Sequence, residues 1–454
     1  MYQKSLYHSN NNTIKRYFVE YLMVALIILS YLVSNYLGVL AAIIGFFYII
    51  TEKDNTNSIC LFIFILPFSM VFNLLKGTTS LYMLLRIACV IKLLRDVKKI
   101  NTTFILALAL FVLYSTITVL IGISTGTVTN IVSISRILNF ILWFLVAYYI
   151  LINSNTDSAC KSSRAISQGV LLSCLIAVNL KYIPNLNNAV SSIIYLNLDT
   201  GSKVTRFTAL FNDPNLFTVI LITSLFLIGL LFSNKKIRSL EFYVYSIALT
   251  VFGMMTLSKS CIILLVIFWI YQLLSKSGIR ASHKIIIVFV GVFAFAILFT
   301  QMNDVIFEIL YRFQDVDSAS SLTSGRTDLW VIYLENMDII SWFIGKGVGA
   351  DLPNGRAAHN TLIQIIYNVG IVGLIFWMML FVMLYKEVKT KKSRRVFVPL
   401  VVAIVPMFFL DGLFIEMFYI VIPLIISFSF KECANTRFAL PNNCKPPRFL
   451  NITN

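Results

Sequence analysis

The feature that most constrains this chain is a series of apolar runs long enough, or nearly long enough, to cross a lipid bilayer. A transmembrane helix needs about 17–25 residues to span the hydrocarbon core. About fourteen candidate spans recur along the chain, at 18–35, 36–51, 58–75, 79–95, 103–122, 137–153, 166–183, 214–232, 240–257, 260–275, 285–302, 361–385, 396–411 and 413–430. The second, fourth, tenth and thirteenth are short or interrupted and could be re-entrant.

The composition agrees with a membrane location for most of the chain. Hydrophobic residues make up 58% of the 454 residues and charged residues only 13%, a balance that excludes an ordinary soluble domain. Mostly short loops separate the spans, so we predict an all-α polytopic membrane protein with one transmembrane domain over 1–454 and about 12–14 transmembrane helices. The first run, 17–33, follows Lys15 and Arg16 as in a signal peptide, but no small-residue cleavage site follows it. We therefore interpret it as an uncleaved span.

The basic residues are segregated to one side of the predicted membrane. The chain has 37 Lys and Arg residues and a formal net charge of +17. Most of them fall on the inner side when the N-terminus is placed inside, including the KEVKTKKSRR cluster at 386–395. By the positive-inside rule both termini are cytoplasmic, with 431–454 as a cytoplasmic tail. The charge then requires no nucleic-acid partner.

Two large loops lie on the outer side in this topology. The first covers 184–213, and the second, 303–360, is the longest in the chain. Within the second, SGRTDLWVIYLENMDIISWFIG (324–345) has the apolar spacing of an amphipathic helix, and GKGVGADLPNG (345–355) is a glycine-rich turn segment. Neither loop contains cysteine, and the three histidines are scattered. We therefore predict neither a disulfide framework nor a metal site.

The outer side also carries the residues best suited to chemistry. His359 is the one histidine predicted there, and it shares that face with basic residues that the positive-inside rule disfavours. These are Arg206, Lys259, Arg326 and Arg356. Arginine binds phosphate bidentately through its planar guanidinium, and an imidazole can take a proton from a hydroxyl near neutral pH. This set favours a lipid-linked diphosphate as the substrate, with an alcohol as acceptor.

Several of these residues also have a purely structural interpretation. The basic side chains could reach lipid headgroups or pair with nearby acids, namely Asp213, Asp328 and Asp351. Pro214 and Asn215 could cap the span that follows them, and Trp330 could anchor the loop at the interface. Glycines are more often turn residues than a phosphate cradle, and those concerned are Gly345, Gly347 and Gly349. We interpret Asp411 and Glu416, near the outer ends of the last two spans, as the mouth of a hairpin.

Short motifs in this region resemble those of a known superfamily. RFTALFNDPN (206–215) resembles the Arg-x-x-Gly-x-Phe-x-x-Pro-Asn signature of the O-antigen polymerase and O-antigen ligase superfamily. LSKS (257–260) stands where that family has Ser-Arg between two spans. The family's later elements follow in order, as SGRTDLW (324–330), IGKGVG (344–349) and HNTL (359–362). The resemblance covers about 206–375. Two residues depart from the family pattern: Ala209 stands in place of its glycine, and Lys259 in place of its arginine. Lysine carries a point charge instead of a planar guanidinium.

The resemblance implies a bacterial inner-membrane glycosyltransferase of the GT-C-like, all-helical type that works at the periplasmic face without a cofactor. It implies an O-antigen polymerase that transfers a growing glycan from undecaprenyl diphosphate to a hydroxyl of an incoming lipid-linked repeat unit. His359, Arg206 and Arg326 would be catalytic, with His359 acting as the base or orienting the acceptor. The substrate-binding residues would be Lys259, Asn215, Arg356 and Asn360. The loops 184–213 and 303–360 are then periplasmic, and a chain-length regulator could be a further partner.

Two alternatives remain open at this stage. An O-antigen ligase shares the donor and the leaving group and differs only in its acceptor, lipid A-core, so the motifs do not separate it from a polymerase. A flippase for lipid-linked oligosaccharides belongs to a different class and would suit the number of spans. A transporter is expected to carry charges in the middle of its spans. Here the spans contain few interior charges, with Arg86 as the main exception, and the large outer loops are concentrated toward the C-terminal half. Both features argue against a transporter.

Overall fold

The described part of the protein is nearly all helical. The computed structural model describes residues 2–73, 80–95, 100–128, 130–191, 206–211, 213–274, 282, 284–285, 288–289, 325–350, 358–387, 397–410 and 415–428. Within these ranges the one β feature is an isolated bridge between Asn73 and Ser80. Most of the predicted span 285–302 lies outside them. The prediction of an all-α fold is therefore confirmed for the described part of the chain.

Sixteen α-helices are described, and we number them in chain order. They are α1 (Tyr2–Leu32), α2 (Tyr36–Thr51), α3 (Asn55–Ile65), α4 (Tyr82–Arg95), α5 (Thr102–Ser124), α6 (Asn130–Ile152), α7 (Thr156–Val178), α8 (Pro184–Ser191), α9 (Pro214–Ser233), α10 (Ser239–Met255), α11 (Lys259–Leu274), α12 (Arg326–Glu335), α13 (Ile339–Ile344), α14 (Thr361–Lys386), α15 (Phe397–Ile404) and α16 (Glu416–Ser427). Three 3₁₀ turns accompany them, at Leu66–Phe68, Leu180–Tyr182 and Val405–Phe409.

Four described helices are long and apolar enough to cross a membrane. They are α5, the Ser133–Ile152 part of α6, α9 and α14. Among the shorter apolar helices, α10, α11, α15 and α16 pack against these long helices, whereas α2 and α3 pack against α1 and α4. Large apolar side chains on the outward faces of α5 and α14 are exposed, among them Leu113, Leu120 and Ile375. Because an apolar surface of this kind is stable in lipid but not in water, the fold is that of a multi-pass membrane protein.

Helix α9 lies at the centre of the bundle. Nearly all of its residues are buried, and it packs against α7, α10, α11, α15 and α16. Its sequence is apolar on all sides, with no polar face for water or headgroups, which is typical of a helix buried by its neighbours. The residues that precede α9 are therefore held where several other helices begin or end.

The predicted span 166–183 differs from helix α7, which begins ten residues earlier, at Thr156. Asn155 and Ser158 form a reciprocal capping box that fixes this start. Serine hydroxyls then bond back to carbonyls of the preceding turn, as Ser163 does to Ala159 and Ser167 to Ser163. Because these bonds satisfy the hydroxyls inside the helix, a polar stretch can be buried there. Apolar periodicity alone could not predict it.

Arg86, the main charge within the predicted spans, forms an ion pair inside the bundle. Arg86 on α4 is buried, donates to Asn139 Oδ1 on α6 at 3.0 Å, and lies 3.4 Å from the carboxylate of Glu416 at the start of α16. Glu416 thus pairs across the bundle with Arg86. Asp411 lies outside the described residues, so the predicted hairpin mouth stays a prediction. The pairing gives the charge of Arg86 a structural explanation, since a buried charge normally needs a partner.

Candidate functional site

The motif that begins at Arg206 runs alongside the end of α10. The backbone amide of Phe207 donates to the Met255 carbonyl at 3.0 Å, and Arg206 Nε donates to the Thr256 carbonyl at 3.0 Å. The Phe207 ring stacks on Phe252, with ring centroids 5.4 Å apart. Arg206 is therefore fixed to the turn that joins α10 to α11, and its side chain is half-buried there.

The same turn holds the second motif. Ser258 donates to Asn215 Oδ1 at 2.8 Å, and its hydroxyl oxygen lies 2.9 Å from that of Ser260. Lys259 is the first residue of α11 and is half-buried. Residues 206–211, 213–215 and 256–260 thus form one unit, which we call the Arg206 cluster. It brings together three of the predicted site residues, Arg206, Asn215 and Lys259.

Asp213 and Pro214 start helix α9. Asp213 Oδ1 accepts from the backbone amides of Asn215 and Leu216, and Pro214 occupies the first turn, where its missing N–H costs nothing. The structural interpretation of Pro214 is therefore confirmed. Asn215 has a different role from the cap, because its side chain reaches across to Ser258 on the neighbouring turn.

Ala209 occupies a backbone conformation that favours glycine. Its φ is 50°, in the left-handed region, and its side chain is buried. This is the position at which the resembling motif has glycine. Ala209 therefore holds an L-residue in a conformation that glycine adopts without strain, at a cost of about 1–2 kcal/mol.

We expect Ala209→Gly to stabilise the protein slightly. The left-handed strain is relieved, but glycine leaves more conformational freedom in the unfolded chain, so the net gain is at most about 1 kcal/mol. Thermal unfolding of the purified protein in detergent would measure it as a small rise in melting temperature. A fall of several degrees would show that the methyl group of Ala209 packs more favourably than its backbone is strained.

A second cluster contains His359. Trp330 Nε1 on α12 donates to the Ala358 carbonyl at 2.9 Å. Arg326 is one helical turn before Trp330, on the same face of α12, and Ala358 directly precedes His359. The Arg-x-x-x-Trp and His-Asn motifs are therefore joined by a hydrogen bond, and we call residues 326–330 and 358–361 the His359 cluster.

His359 and Asn360 are held by the start of α14. His359 has φ 49° and a half-buried side chain. Asn360 is the N-cap, and its Oδ1 accepts from the amides of Leu362 and Ile363. Thr361 donates to the Leu410 carbonyl at 2.8 Å. The side-chain oxygen of Asn360 is engaged in capping α14. The contact with substrate that the sequence predicts for Asn360 would therefore use its side-chain nitrogen.

The glycine-rich segment 345–350 packs against α14. The amides of Lys346 and Gly347 donate to the carbonyls of Tyr367 and Asn368 at 2.7 and 2.9 Å, and the Gly349 amide donates to the Asn368 side chain. Donors engaged in this way are not available to a phosphate. The interpretation of these glycines as turn residues is confirmed.

The helices that begin in the two clusters share a neighbour. The turn Val405–Phe409 packs against both α9, which begins in the Arg206 cluster, and α14, which begins in the His359 cluster. Helix α15, which precedes this turn, packs against α9. Thr361 is bonded to Leu410, at the end of that turn. The remaining predicted site residue, Arg356, lies outside the described residues.

Sequence reasoning missed the contribution of the serines and of one arginine. Ser258 and Ser260 lie within the quoted LSKS motif, but their hydroxyl contacts could be recognised only once α9 and α11 were placed together. Arg136 on α6 lies beside the glycine segment, where a Cβ on Gly349 would come 2.9 Å from its guanidinium. The signal for Arg136 was its predicted position near an outer span end.

The described residues contain no group of three His, Cys, Asp or Glu side chains that could hold a metal ion. Comparison with protein-family models, with curated proteins and with solved structures finds no match to this chain. The motifs and their geometry are therefore the basis on which a function can be argued.

Proposed function

We propose that the chain is a glycosyltransferase that uses a lipid-diphosphate-linked glycan as donor, and specifically a polymerase of O-antigen or a related surface polysaccharide. The donor would be a glycan on undecaprenyl diphosphate, and the acceptor a hydroxyl of an incoming lipid-linked repeat unit. The protein would act at the periplasmic face of the bacterial inner membrane, with both termini in the cytoplasm. A GT-C-like arrangement of the transmembrane helices is also part of this proposal.

The observation that carries the proposal is the hydrogen bond from Trp330 to Ala358. It attaches the helix that begins with Arg326 to the residue before His359, although 28 positions separate the two bonded residues. A guanidinium and an imidazole are thereby carried by adjoining elements at one end of the bundle. A diphosphate leaving group and a hydroxyl nucleophile need this pair of functions.

The reaction needs few chemical groups from the protein. The acceptor hydroxyl oxygen attacks the anomeric carbon of the donor sugar, and the bond from that carbon to the diphosphate oxygen breaks. His359 takes or guides the hydroxyl proton, a contribution typically worth about 10²–10⁴-fold in rate. Arg326 and Arg206, with Lys259, stabilise the negative charge that develops on the departing undecaprenyl diphosphate.

Deletion of the gene tests the proposal through the lipopolysaccharide that the cell makes. For a polymerase we expect lipid A-core that carries single repeat units and no longer chains, seen by gel electrophoresis. Complete absence of O-antigen, with polymer retained on undecaprenyl diphosphate, would identify a ligase instead. Lipid-linked single repeats confined to the cytoplasmic leaflet would identify a flippase. Complementation with the wild-type gene is the control.

A further inference from the structure

Helix α13 and the chain around it pack along the side of the membrane-spanning helices. Tyr114 on α5 donates through its hydroxyl to the Phe343 carbonyl at 3.2 Å and to the Val369 carbonyl on α14 at 2.9 Å. Phe343 thus lies at the level of residue 114 in one long helix and of residues 369–370 in another. Both helices are among the four that are long enough to cross a membrane.

These contacts show how far Phe343 lies from the ends of α5 and α14. With a rise of 1.5 Å per residue, Gly370 lies about 14 Å from the first residue of α14, and Tyr114 about 15 Å from the last residue of α5. The two helices give nearly the same distance from the end of the bundle at which His359 lies. The 26 residues of α14 span about 39 Å, against about 30 Å of hydrocarbon. Even if all of the extra length of α14 lay outside the hydrocarbon on the His359 side, the Phe343 carbonyl would still lie about 5 Å inside it.

The side chains of α13 suit that environment. Ile339, Ile340 and Phe343 are 79%, 68% and 55% exposed. Water would disfavour three large apolar side chains exposed side by side, whereas acyl chains solvate them. The polar end of the helix lies at the shallow side, because Asp338 caps its start and Met337, just before it, packs with Ala358 in the cluster next to His359.

The backbone at this depth is also satisfied by protein. Helix α14 is interrupted at Gly370, which leaves carbonyls without their usual partners in the helix. The amides of Lys346 and Gly347 and the Tyr114 hydroxyl bond to the carbonyls of Tyr367, Asn368 and Val369. Irregular backbone is tolerated inside a membrane only when protein supplies such hydrogen bonds.

We propose that residues 338–350 form a re-entrant segment whose helix, α13, dips into the outer leaflet and contacts lipid acyl chains through Ile339, Ile340 and Phe343. This replaces the expectation that the whole of 303–360 lies outside the bilayer. The exposed apolar face of α13 continues that of α5 and α14, where Leu113 and Ile375 are also exposed. The argument rests on depth and contacts and does not depend on the proposed reaction.

Spin labelling of the full chain in liposomes tests the proposal. Single cysteines would be introduced by Phe343→Cys and Ile340→Cys, after replacement of the seven native cysteines, and labelled with a nitroxide. We expect collisions with oxygen to exceed collisions with a water-soluble nickel chelate. The depth should lie between those of labels at Leu120, near the end of α5, and Ile375, near the middle of α14. A label at Asp328, which is exposed on α12, is the aqueous control.

Two outcomes would overturn the proposal. Strong collisions with the nickel chelate at both positions, matching Asp328, would place α13 in water. Weak collisions with both reagents would mean that protein covers the face, as in a dimer. An apolar photoreactive carbene probe in liposomes with the unmodified wild-type chain gives a second test that needs no variant. Adducts on the peptide with Ile339, Ile340 and Phe343 are expected, and their absence there, with adducts on α5 present, would contradict it.

Discussion

Cells that carry His359→Ala or Arg326→Ala in place of the wild-type chain are expected to lose long-chain polysaccharide and keep single lipid-linked repeats. In the proposed reaction, loss of the histidine removes a proton acceptor or guide worth about 10²–10⁴-fold in rate. Loss of the arginine removes the proposed charge stabilisation, worth about 10²–10³-fold. Electrophoresis of the lipopolysaccharide reports the outcome, and immunoblotting confirms that protein levels are unchanged.

Matched control variants distinguish the loss of a catalytic side chain from general destabilisation of the protein. His283→Ala makes the same change at a histidine that the sequence predicts on the cytoplasmic side. Arg164→Ala removes an arginine that pairs with Glu241 at 3.1 Å, close to the Lys236 carbonyl and far along the chain from both clusters. Both controls should give normal ladders. Normal ladders from His359→Ala and Arg326→Ala as well would refute the catalytic assignment.

Arg326→Lys refines the same test. Lysine keeps the charge but offers no planar fork, so a bidentate grip on a diphosphate would be weakened rather than abolished. We therefore expect shorter chains from Arg326→Lys than from the wild type, and longer chains than from Arg326→Ala. Position 259 already carries lysine where the resembling family has arginine. We therefore do not expect Lys259 and Arg326 to contribute equally to diphosphate binding.

Gly370→Ala is expected to destabilise the protein more than the matched substitution Gly126→Ala. Gly370 has φ 68°, a region that costs an L-residue about 1–2 kcal/mol. A Cβ there would also collide with the backbone carbonyl of Phe343. Backbone cannot give way as a flexible side chain does, so overpacking adds about 1–3 kcal/mol. The measurement is thermal unfolding in detergent, together with the yield of monodisperse protein.

Gly126→Ala is the matched control. Gly126 has φ 76° but open space where a Cβ would stand, so this variant bears the conformational strain alone, about 1–2 kcal/mol. The difference in melting temperature between the two variants therefore measures the close packing of α13 on α14. A melting temperature for Gly370→Ala equal to or above that of Gly126→Ala would show that this packing is loose.

Much of the helical framework could be predicted from the sequence, because apolar runs of a given length have few alternatives in a membrane. The runs at 103–122, 214–232 and 361–385 correspond closely to α5, α9 and α14. The start of α7 could not be predicted, since its polar first turns depend on serine-to-carbonyl bonds that only the helix itself provides. Nor could the break at Gly370, because its cause is the segment that packs against it.

The candidate site shows the same division. The motifs identified Arg206, Arg326 and His359 as residues of interest, because charges on the outer side of a membrane protein are rare enough to stand out. The sequence did not show which residues are in contact. In the fold, Ser258 hydrogen-bonds to Asn215 and Trp330 to Ala358, across 43 and 28 positions. Periodicity and charge counts describe each stretch separately and carry no information on such long-range pairs.

The position of α9 has a consequence for biosynthesis. Its apolar surface is covered on one side by α7, which is made earlier, and on another by α15 and α16, which are made later. While the ribosome is still translating the region between them, lipid must solvate the part of α9 that those final helices will cover. The surface of α9 can therefore be fully covered only after α16 has been made, and until then this central helix is accessible from the bilayer to insertases, chaperones and quality-control proteases.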